Sequence, residues 1–247
     1  MHRHRVATAE LEKDVVALDH AGARHFLNVL RLKGGDEVEL FDGLGASATF
    51  RLREPQGRQA ELERVGAVRR AQPPRCRLVL GACVSKGKRM DWTIEKAVEL
   101  GVSEIVPILS RNSVVKVESA ADAEDKRLRW ERVAIDAARQ CSSAFVPAIS
   151  TPLPFDEALS RIAASSRMYV GALTSDAIPL RDALARDRGL PPPASVAWLI
   201  GPEGDFSPEE YGALRAAGAS MVSLGSLVLR TETAAIYGLC VFGSEWL

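Results

Sequence analysis

The strongest constraint on the fold is a change near Cys76 in the pattern of secondary structure that the sequence predicts. From there onward, short apolar strand-like runs alternate with helical segments, beginning with the run 77–84 and the helix 89–100 that Gly101 ends. Parallel strands need such crossover helices between them, so this alternation predicts a parallel sheet covered by helices on both faces. We therefore expect an α/β fold for this part of the chain.

The residues before this point follow a different pattern, with short alternating or β-rich runs separated by glycine turns. The runs are 15–18, 38–41, 46–53 and 60–68. One helical segment, 20–32, interrupts them, and Pro73-Pro74 has the composition of a linker. This pattern predicts a small β-barrel with one helix, and hence two domains, 1–72 and 73–247.

Charge is divided unevenly, although the 247 residues carry 32 basic and 32 acidic side chains. Residues 1–90 contain 17 Lys/Arg and 11 Asp/Glu, a net charge of +6, so the remainder carries −6. A basic amino-terminal part suits a phosphate-rich partner such as nucleic acid. Chance and ordinary solvated faces explain the same imbalance equally well.

The cysteine pattern and the hydropathy favour a cytoplasmic protein. The four cysteines lie far apart, as reduced thiols of the cytosol do. The longest nearly apolar stretch, 233–243, is much shorter than the ~20 residues of a membrane helix. All four histidines lie within the first 25 residues, without the spacing of metal ligands. We predict neither a membrane segment nor a metal site.

The loop after the predicted strand 195–200 carries the clearest chemical signal. Gly201 and Gly204 let the backbone turn sharply or approach a ligand closely. The segment 207–210 reads as a helix start with a capping box. Ligands of open α/β sheets bind beyond the carboxyl ends of strands. An ordinary turn explains the capping segment but not Glu203 between two glycines, so Glu203 is a candidate site residue.

A second loop, after the short predicted strand 220–224, repeats this arrangement. Gly225 opens the loop, and a closing helix follows with Thr231 as its predicted N-cap and Glu232 in its positive first turn. Taken alone, Arg230 and Glu232 are compatible with a surface ion pair. Their place beside a glycine loop at a strand end favours a site.

Ten short motifs, spread over nearly the whole chain, occur together in one known family. The segments are 25–31, 35–36, 41–43, 86–90, 96–102, 111–113, 130–132, 201–204, 224–225 and 229–234. Together they resemble the ribosomal small-subunit RNA uridine-N3 methyltransferase family, which belongs to the knotted S-adenosylmethionine-dependent methyltransferases. The resemblance implies a carboxy-terminal parallel-sheet domain with a deep trefoil knot, preceded by a PUA-like β-barrel that binds RNA. It also implies a homodimer.

The same resemblance implies the activity and the site residues. Family members use S-adenosylmethionine to methylate N3 of a uridine in the 16S RNA of the small ribosomal subunit. The residues implied to bind this donor are Leu173, Thr174, Ile200, Gly201, Pro202, Glu203, Gly204, Leu224, Gly225, Leu229, Arg230, Thr231 and Thr233. Those implied to bind RNA are Arg5, Arg24, Arg31, Lys33, Lys86, Lys88, Arg89 and Arg111. For catalysis, we expect Arg230 to stabilise the base while Glu232 or Glu203 organises proton removal.

The chain departs from the family pattern at three positions. Asp205 stands where the family usually has a glycine, Leu227 where it has an arginine, and Ser143 where it has another arginine. Because of these departures, two other hypotheses about the function stay open. One is a related knotted methyltransferase with another RNA target, and the other is an RNA-binding homologue that has lost catalysis. A nicotinamide enzyme is a distant third, because no Gly-x-Gly-x-x-Gly follows the first α/β strand.

Overall fold

The computed structural model describes residues 1–55, 57, 59–165 and 167–247. The chain divides into two compact units. The first contains Met1–Pro73 and Ala138–Val146, and the second contains Pro74–Ala137 and Pro147–Leu247. The sequence predicts the segment 138–146 as part of the second domain, whereas the structure places it in the first unit.

The first unit is built on one six-stranded sheet. Its strands are β1 (His2–Arg5), β2 (Val15–Ala17), β3 (Glu37–Phe41), β4 (Ala46–Leu52), β5 (Glu61–Arg64) and β6 (Arg69–Arg70). They lie in the order β1-β3-β4-β5-β2, and β6 pairs with β4. The pair β1–β3 is parallel and the other pairs are antiparallel. Alternate side chains such as Val38, Leu40 and Phe50 form its apolar core.

The helices of this unit are short. They are α1 (Thr8–Leu11) and α2 (His20–Arg24), and α2 continues as a π-helical turn over His25–Val29. The carboxylate of Asp19 caps α2 by accepting a hydrogen bond from a backbone N–H of its first turn. The predicted helical segment is therefore present. It ends before Arg31, whose φ of +56° lies in the left-handed region and stops the helix.

Buried Arg3 explains why residues of a later segment belong to this unit. Its Nη1 donates to the backbone oxygens of Ala138, at 2.9 Å, and Ser143, at 2.8 Å. Its Nε lies 2.5 Å from a carboxylate oxygen of Glu39, and its guanidinium carbon lies 4.3 Å from the centre of the Phe41 ring. A buried cation is stable only when it is paired and hydrogen-bonded, so these acceptors bind the later segment to β1 and β3.

The second unit is an eight-stranded sheet in which every pairing is parallel. Its strands are β7 (Arg77–Cys83), β8 (Glu104–Leu109), β9 (Ala148–Ile149), β10 (Leu153–Pro154), β11 (Arg167–Gly171), β12 (Ile178–Pro179), β13 (Ser195–Ile200) and β14 (Ser220–Ser223). The order is β10-β8-β7-β13-β11-β14-β12, and β9 pairs with β8. The predicted α/β class is confirmed, while the trefoil knot stays a prediction.

In the described part of the chain, six helices accompany these strands. They are α3 (Lys88–Glu99), α4 (Ala120–Cys141), α5 (Phe155–Ile162), α6 (Leu180–Asp187), α7 (Pro208–Ala216) and α8 (Thr231–Trp246). The last residues of α4, from Ala138, belong to the first unit. Within the described ranges, no helix has both the length and the apolar character to cross a lipid bilayer.

Close packing of α8 against β13 sets where α8 begins. Trp198 of β13 is completely buried, and its Nε1 donates to the backbone oxygen of Ala234 at 3.2 Å. Gly238, one turn further along α8, faces the same indole, because a Cβ there would overlap the ring. The missing side chain lets the helix approach the sheet. The first turn of α8 is held in place as a consequence.

Candidate active site

Three neighbouring strands of the second unit end at one edge of the parallel sheet. Gly171, at the end of β11, pairs with Ile200 at the end of β13 and with Val222 of β14. Because the strands are parallel, the loops that follow them leave the sheet on the same side, which is the usual ligand position in open α/β sheets. The two loops singled out in the sequence therefore lie side by side.

A cavity of about 400 Å³ lies among these loops, and most of the predicted donor-binding residues line it. Those that do are Leu173, Ile200, Gly201, Pro202, Glu203, Leu224, Gly225, Leu229, Arg230 and Thr231. The three predicted catalytic residues, Arg230, Glu232 and Glu203, are also in its wall. The structure thus brings together residues that are far apart in the sequence.

Three predicted donor-binding residues, Thr174, Gly204 and Thr233, are not part of the cavity wall. Thr174 follows the lining residue Leu173 in the chain, and Thr233 is exposed in the first turn of α8. Gly204 contacts Asn112 instead, because its carbonyl accepts a hydrogen bond from Nδ2 of that residue at 3.1 Å.

Several lining residues were missed by the sequence analysis. They include Gly171, Ala172, Asp205, Leu227 and Val228, and Arg89 was assigned to RNA binding alone. Gly171 and Ala172 follow a buried strand, so the strand-end argument used for the other two loops also applies to them. Leu227 and Val228, at 77% and 75% exposed, are apolar side chains in the cavity wall.

The helix start after β13 is confirmed. Oγ of Ser207 accepts from the backbone N–H of Glu210 at 3.2 Å, and the Ser207 N–H donates to Oε2 of Glu210 at 2.8 Å. This reciprocal pair is the predicted capping box, with Pro208 next in the helix. The other oxygen of Glu210 accepts from the backbone N–H of Arg111 at 2.8 Å. The capping box therefore also fixes the segment after β8.

Glu203 is held by a cation in the cavity wall. Nη1 of Arg89, in α3, lies 2.7 Å from Oε1 of Glu203, and both side chains are more than two-fifths exposed. An ion pair this exposed contributes at most about 1 kcal/mol, so a competing charge can separate it. The pair joins a predicted RNA-binding residue to a predicted catalytic residue.

The start of α8 differs from the prediction in one detail. The N-cap residue is Arg230 and no side chain caps the helix there, so the prediction of Thr231 as N-cap is wrong. Thr231 is the first helical residue, and its hydroxyl donates to Oε2 of Glu232 at 3.2 Å. Glu232 lies in the first turn as expected, where the helix dipole favours its negative charge.

Asp205 adopts a backbone conformation that favours glycine. Its φ is +61°, and Oδ1 accepts from its neighbour Phe206 N at 2.9 Å and from the hydroxyl of Tyr211 at 2.6 Å. Burial, together with the Asp205 carboxylate, raises the pKa of the Tyr211 phenol above its usual range. The phenol therefore stays protonated at neutral pH and donates this hydrogen bond.

The other departures from the family pattern lie in two different settings. Ser142, which precedes Ser143, has a φ of +62° in the left-handed region. At Ser143, where the family has an arginine, the hydroxyl donates to the backbone oxygen of Phe145 at 2.8 Å. Leu227 is exposed in the cavity wall.

The predicted RNA-binding residues of the second unit are exposed. Lys86 lies just before α3, Lys88 is the first residue of this helix, and Arg89 lies in the cavity wall. Arg111 donates through Nη1 to Oε2 of Glu209 at 3.2 Å. These cations accompany α3 and the β8 loop rather than forming one cluster of hydrogen-bonded groups.

The predicted RNA-binding residues of the first unit, Arg5, Arg24, Arg31 and Lys33, lie on or near the helical segment and β1. Arg24 lines a separate cavity of about 340 Å³, together with Asn28 from the π-helical turn. The backbone N–H of Lys33 donates to the carboxylate of Asp36 at 2.8 Å. Across the described part of the chain, no group of three or more His, Cys, Asp or Glu residues is placed to hold a metal ion.

Comparison with known proteins identifies the family. The RNA methyltransferase domain family matches residues 72–242, and the RNA methyltransferase PUA domain family matches residues 18–63. Ribosomal RNA small subunit methyltransferase E of Mycobacterium bovis is 31% identical over 243 residues, covering 94% of this chain and 88% of that protein.

Two solved structures have the same fold. A methyltransferase of Legionella pneumophila, in complex with S-adenosylmethionine, is 28% identical with a TM-score of 0.87, covering 98% of this chain and 97% of that one. Ribosomal RNA small subunit methyltransferase E of Neisseria gonorrhoeae, bound to S-adenosylmethionine, is 28% identical with a TM-score of 0.84, covering 100% and 98%. The chain therefore belongs to the RNA methyltransferase family, together with the ribosomal RNA small subunit methyltransferase E proteins.

Proposed function

We propose that this chain is an S-adenosylmethionine-dependent enzyme that methylates N3 of a specific uridine in the 16S RNA of the small ribosomal subunit. The observation that carries the proposal is the cavity of about 400 Å³ between the loops that follow β11, β13 and β14. Further support comes from its relatives, since two are named for small-subunit ribosomal RNA and two are solved with S-adenosylmethionine.

The residues around the cavity suit this donor. At Gly225, φ is +134° and nothing lies within 4 Å of the place of a Cβ, so the backbone is open to a ligand. Leu173 and Leu229 provide apolar surface for an adenine ring. The carboxylates of Glu203 and Glu232 balance the positive charge of a sulfonium. When bound, S-adenosylmethionine supplies an electrophilic methyl group on positively charged sulfur.

The side chains of the protein must position the uridine and remove one proton from it. Uracil N3 carries a proton at neutral pH, and this proton has to leave for N3 to act as a nucleophile. We assign the stabilisation of charge on the uracil oxygens to Arg230. Proton removal falls to Glu232, in the first turn of α8, or to Glu203, on the opposite loop. Positioning in line with the methyl group supplies most of the acceleration.

The basic side chains hold the RNA by its phosphates. The target base has to be single-stranded or extruded from its stack before it can enter the cavity. Contacts with phosphate make the affinity fall with salt concentration. The cations proposed for this role are Arg5, Arg24, Arg31, Lys33, Lys86, Lys88, Arg89 and Arg111.

We also propose that the protein acts as a homodimer in the cytoplasm. Residues 234–243 of α8 are apolar apart from the Tyr237 hydroxyl and the Cys240 thiol, and Tyr237 is 46% exposed although an apolar helix segment is normally buried. A second copy of the chain at this face would cover it. The cytoplasm follows from the proposed substrate, and the free thiols of Cys76, Cys83, Cys141 and Cys240 suit that compartment. Sedimentation of the purified protein tests the dimer.

The deciding experiment is transfer of labelled methyl groups to small ribosomal subunits that lack the uridine mark, with the modified nucleotide mapped. We expect label at N3 of one 16S uridine, and loss of the signal in Arg230→Ala. Arg161→Ala is the matched control, because Arg161 is an exposed arginine on α5 that does not line the cavity. Label at another nucleotide would indicate a different RNA target. Donor binding without transfer to any RNA would indicate a homologue that has lost catalysis.

A further inference from the structure

The loop between β13 and α7 is held from two sides by side chains outside it. On one side, Tyr211 of α7 donates its hydroxyl to Oδ1 of Asp205 at 2.6 Å. On the other, Nδ2 of Asn112, in the segment after β8, donates to the backbone oxygens of Gly204 at 3.1 Å and Asp205 at 3.0 Å. Two separate elements therefore hold Asp205, and one of them also holds Gly204.

Asp205 is the point where these restraints meet. Its left-handed φ of +61° is a conformation that non-glycine residues adopt infrequently, although aspartate tolerates it better than most. The carboxylate also accepts a hydrogen bond from the adjacent backbone N–H of Phe206 at 2.9 Å, and this bond stabilises the turn. Tyr211 is only 4% exposed, so it is a rigid anchor for this bond. Glycine at this position would allow the same φ and keep the backbone bond from Asn112, but it would supply neither of the two bonds to the carboxylate.

The restrained loop forms one wall of the proposed donor cavity. Gly201, Pro202, Glu203 and Asp205 all line it. A loop that already has its binding shape loses less conformational entropy when a ligand arrives, and its affinity is higher for that reason. Loss of the restraint should therefore weaken donor binding and leave the rate of methyl transfer nearly unchanged.

We propose that Asp205 is a positioning residue, which holds the 201–205 loop in its donor-binding conformation through the hydrogen bond from Tyr211. This inference rests on the proposed function, because it assumes that the cavity binds S-adenosylmethionine. Asp205 replaces the family's glycine and makes the loop more rigid. Its presence is therefore compatible with an active donor site.

The test is calorimetric titration of the full-length protein with S-adenosylhomocysteine. Asp205→Gly keeps the backbone conformation and removes the acceptor, and we expect its Kd to rise about tenfold. Tyr211→Phe removes the donor and should have the same effect. The double variant should also show about a tenfold rise rather than a hundredfold one, because the bond that Tyr211→Phe removes is already absent in Asp205→Gly. Asp205→Asn, which keeps an acceptor oxygen, should stay within about threefold of the wild type.

A matched control distinguishes an effect on the position of the 201–205 loop from an effect on the stability of the whole protein. Tyr169 donates to Oδ2 of Asp187 at 2.5 Å in a similar buried pair, and neither residue lines the cavity. Tyr169→Phe should lower the melting temperature and leave the Kd unchanged. In steady-state assays, Asp205→Gly should raise the donor KM and leave kcat at saturating donor close to the wild-type value.

Two results would overturn the inference. One is wild-type affinity in Asp205→Gly, even if that variant melts earlier. The other is a hundredfold weaker double variant, which would mean that Asp205 and Tyr211 act separately. A wild-type protein that binds no donor at all would contradict the proposed function itself, so the two failures are distinguishable.

Discussion

Gly238 of α8 offers the sharpest test of how the fold supports the site. A Cβ at this position would lie 2.7 Å from Cζ2 of Trp198, and closer still to Cε2 and Nε1 of the same ring. Ordinary contacts between carbon atoms are about 3.5–4.0 Å, so in Gly238→Ala the helix or the indole has to move by about 1 Å. The indole is fully buried against Phe242, with ring centres 5.4 Å apart, and has little room to move.

The expected cost follows from two opposing effects. Alanine stabilises a helix interior by about 1 kcal/mol relative to glycine. Overpacking costs about 1–3 kcal/mol, and weakening the buried bond from Trp198 to the Ala234 carbonyl costs about 1–3 kcal/mol more. We therefore expect Gly238→Ala to lower the free energy of unfolding by about 3 kcal/mol, or the melting temperature by about 6–12 °C. Because α8 begins beside the cavity, the Kd for S-adenosylhomocysteine should rise as well.

Gly243, in the same helix, is the matched control. A Cβ there would lie 3.7 Å from Leu247 Cδ1 and 3.8 Å from the Leu100 oxygen, which is ordinary contact. Gly243→Ala should therefore stabilise the protein by up to about 1 kcal/mol and leave donor affinity unchanged. Scanning calorimetry and titration with S-adenosylhomocysteine measure both quantities. A Gly238→Ala protein as stable as Gly243→Ala would refute the close helix–strand approach.

The remaining predictions concern catalysis, pH and RNA binding. Glu203→Gln or Glu232→Gln, whichever removes the general base, should lower single-turnover methyl transfer at saturating RNA by about 10²–10⁴-fold. Burial, reinforced by a nearby arginine, lowers the pKa of His4 from 6.5 to about 4. Between these values the unfolded chain binds a proton that the folded chain does not, so urea unfolding should show about 2 kcal/mol less stability at pH 5 than at pH 7.5, and His4→Gln should remove this difference. Replacing Arg31 and Lys33 with alanine should weaken RNA binding and reduce the slope of log affinity against log salt by about 1–2.

Each of these predictions has a control elsewhere in the chain. Glu209→Gln, in the first turn of α7 and outside the cavity wall, should keep normal transfer. Full turnover in both Glu203→Gln and Glu232→Gln would exclude the two carboxylates from proton removal. A pH dependence that persists in His4→Gln would assign it to other groups. Lys13→Ala, which removes a cation paired with Glu10, should leave the salt slope unchanged.

Local features of the sequence were the most predictable. The strand 195–200 has the same bounds in the structure, and the capping box at Ser207 and Glu210 is present. Both depend on interactions between residues a few positions apart, which a sequence pattern encodes directly. The glycine loops could be placed at strand ends for the same reason. The N-cap at Arg230 was missed because hydroxyl residues are usually preferred there and Thr231 is adjacent.

Long-range features could not be predicted from the residues alone. The order of the strands places β11 between β13 and β14, which brings Leu173 to the cavity. The ion pair of Arg89 with Glu203 joins residues 114 positions apart. Such pairings depend on the path of the chain through the sheet, and no local spacing specifies that path. Gly171 and Ala172 also follow a strand, but which strand ends meet at the cavity depends on this path, and these two residues were missed for that reason.

The division of the chain into these two units limits how the amino-terminal unit can be exchanged between proteins. Because Ala138–Val146 belongs with Met1–Pro73, a cut at the proline linker separates Arg3 from the carbonyls of Ala138 and Ser143. A buried guanidinium without its acceptors is strongly destabilising. The amino-terminal unit is therefore not a module that gene fusion could exchange at a single junction. An exchange of this unit has to include Ala138–Val146 as well as Met1–Pro73.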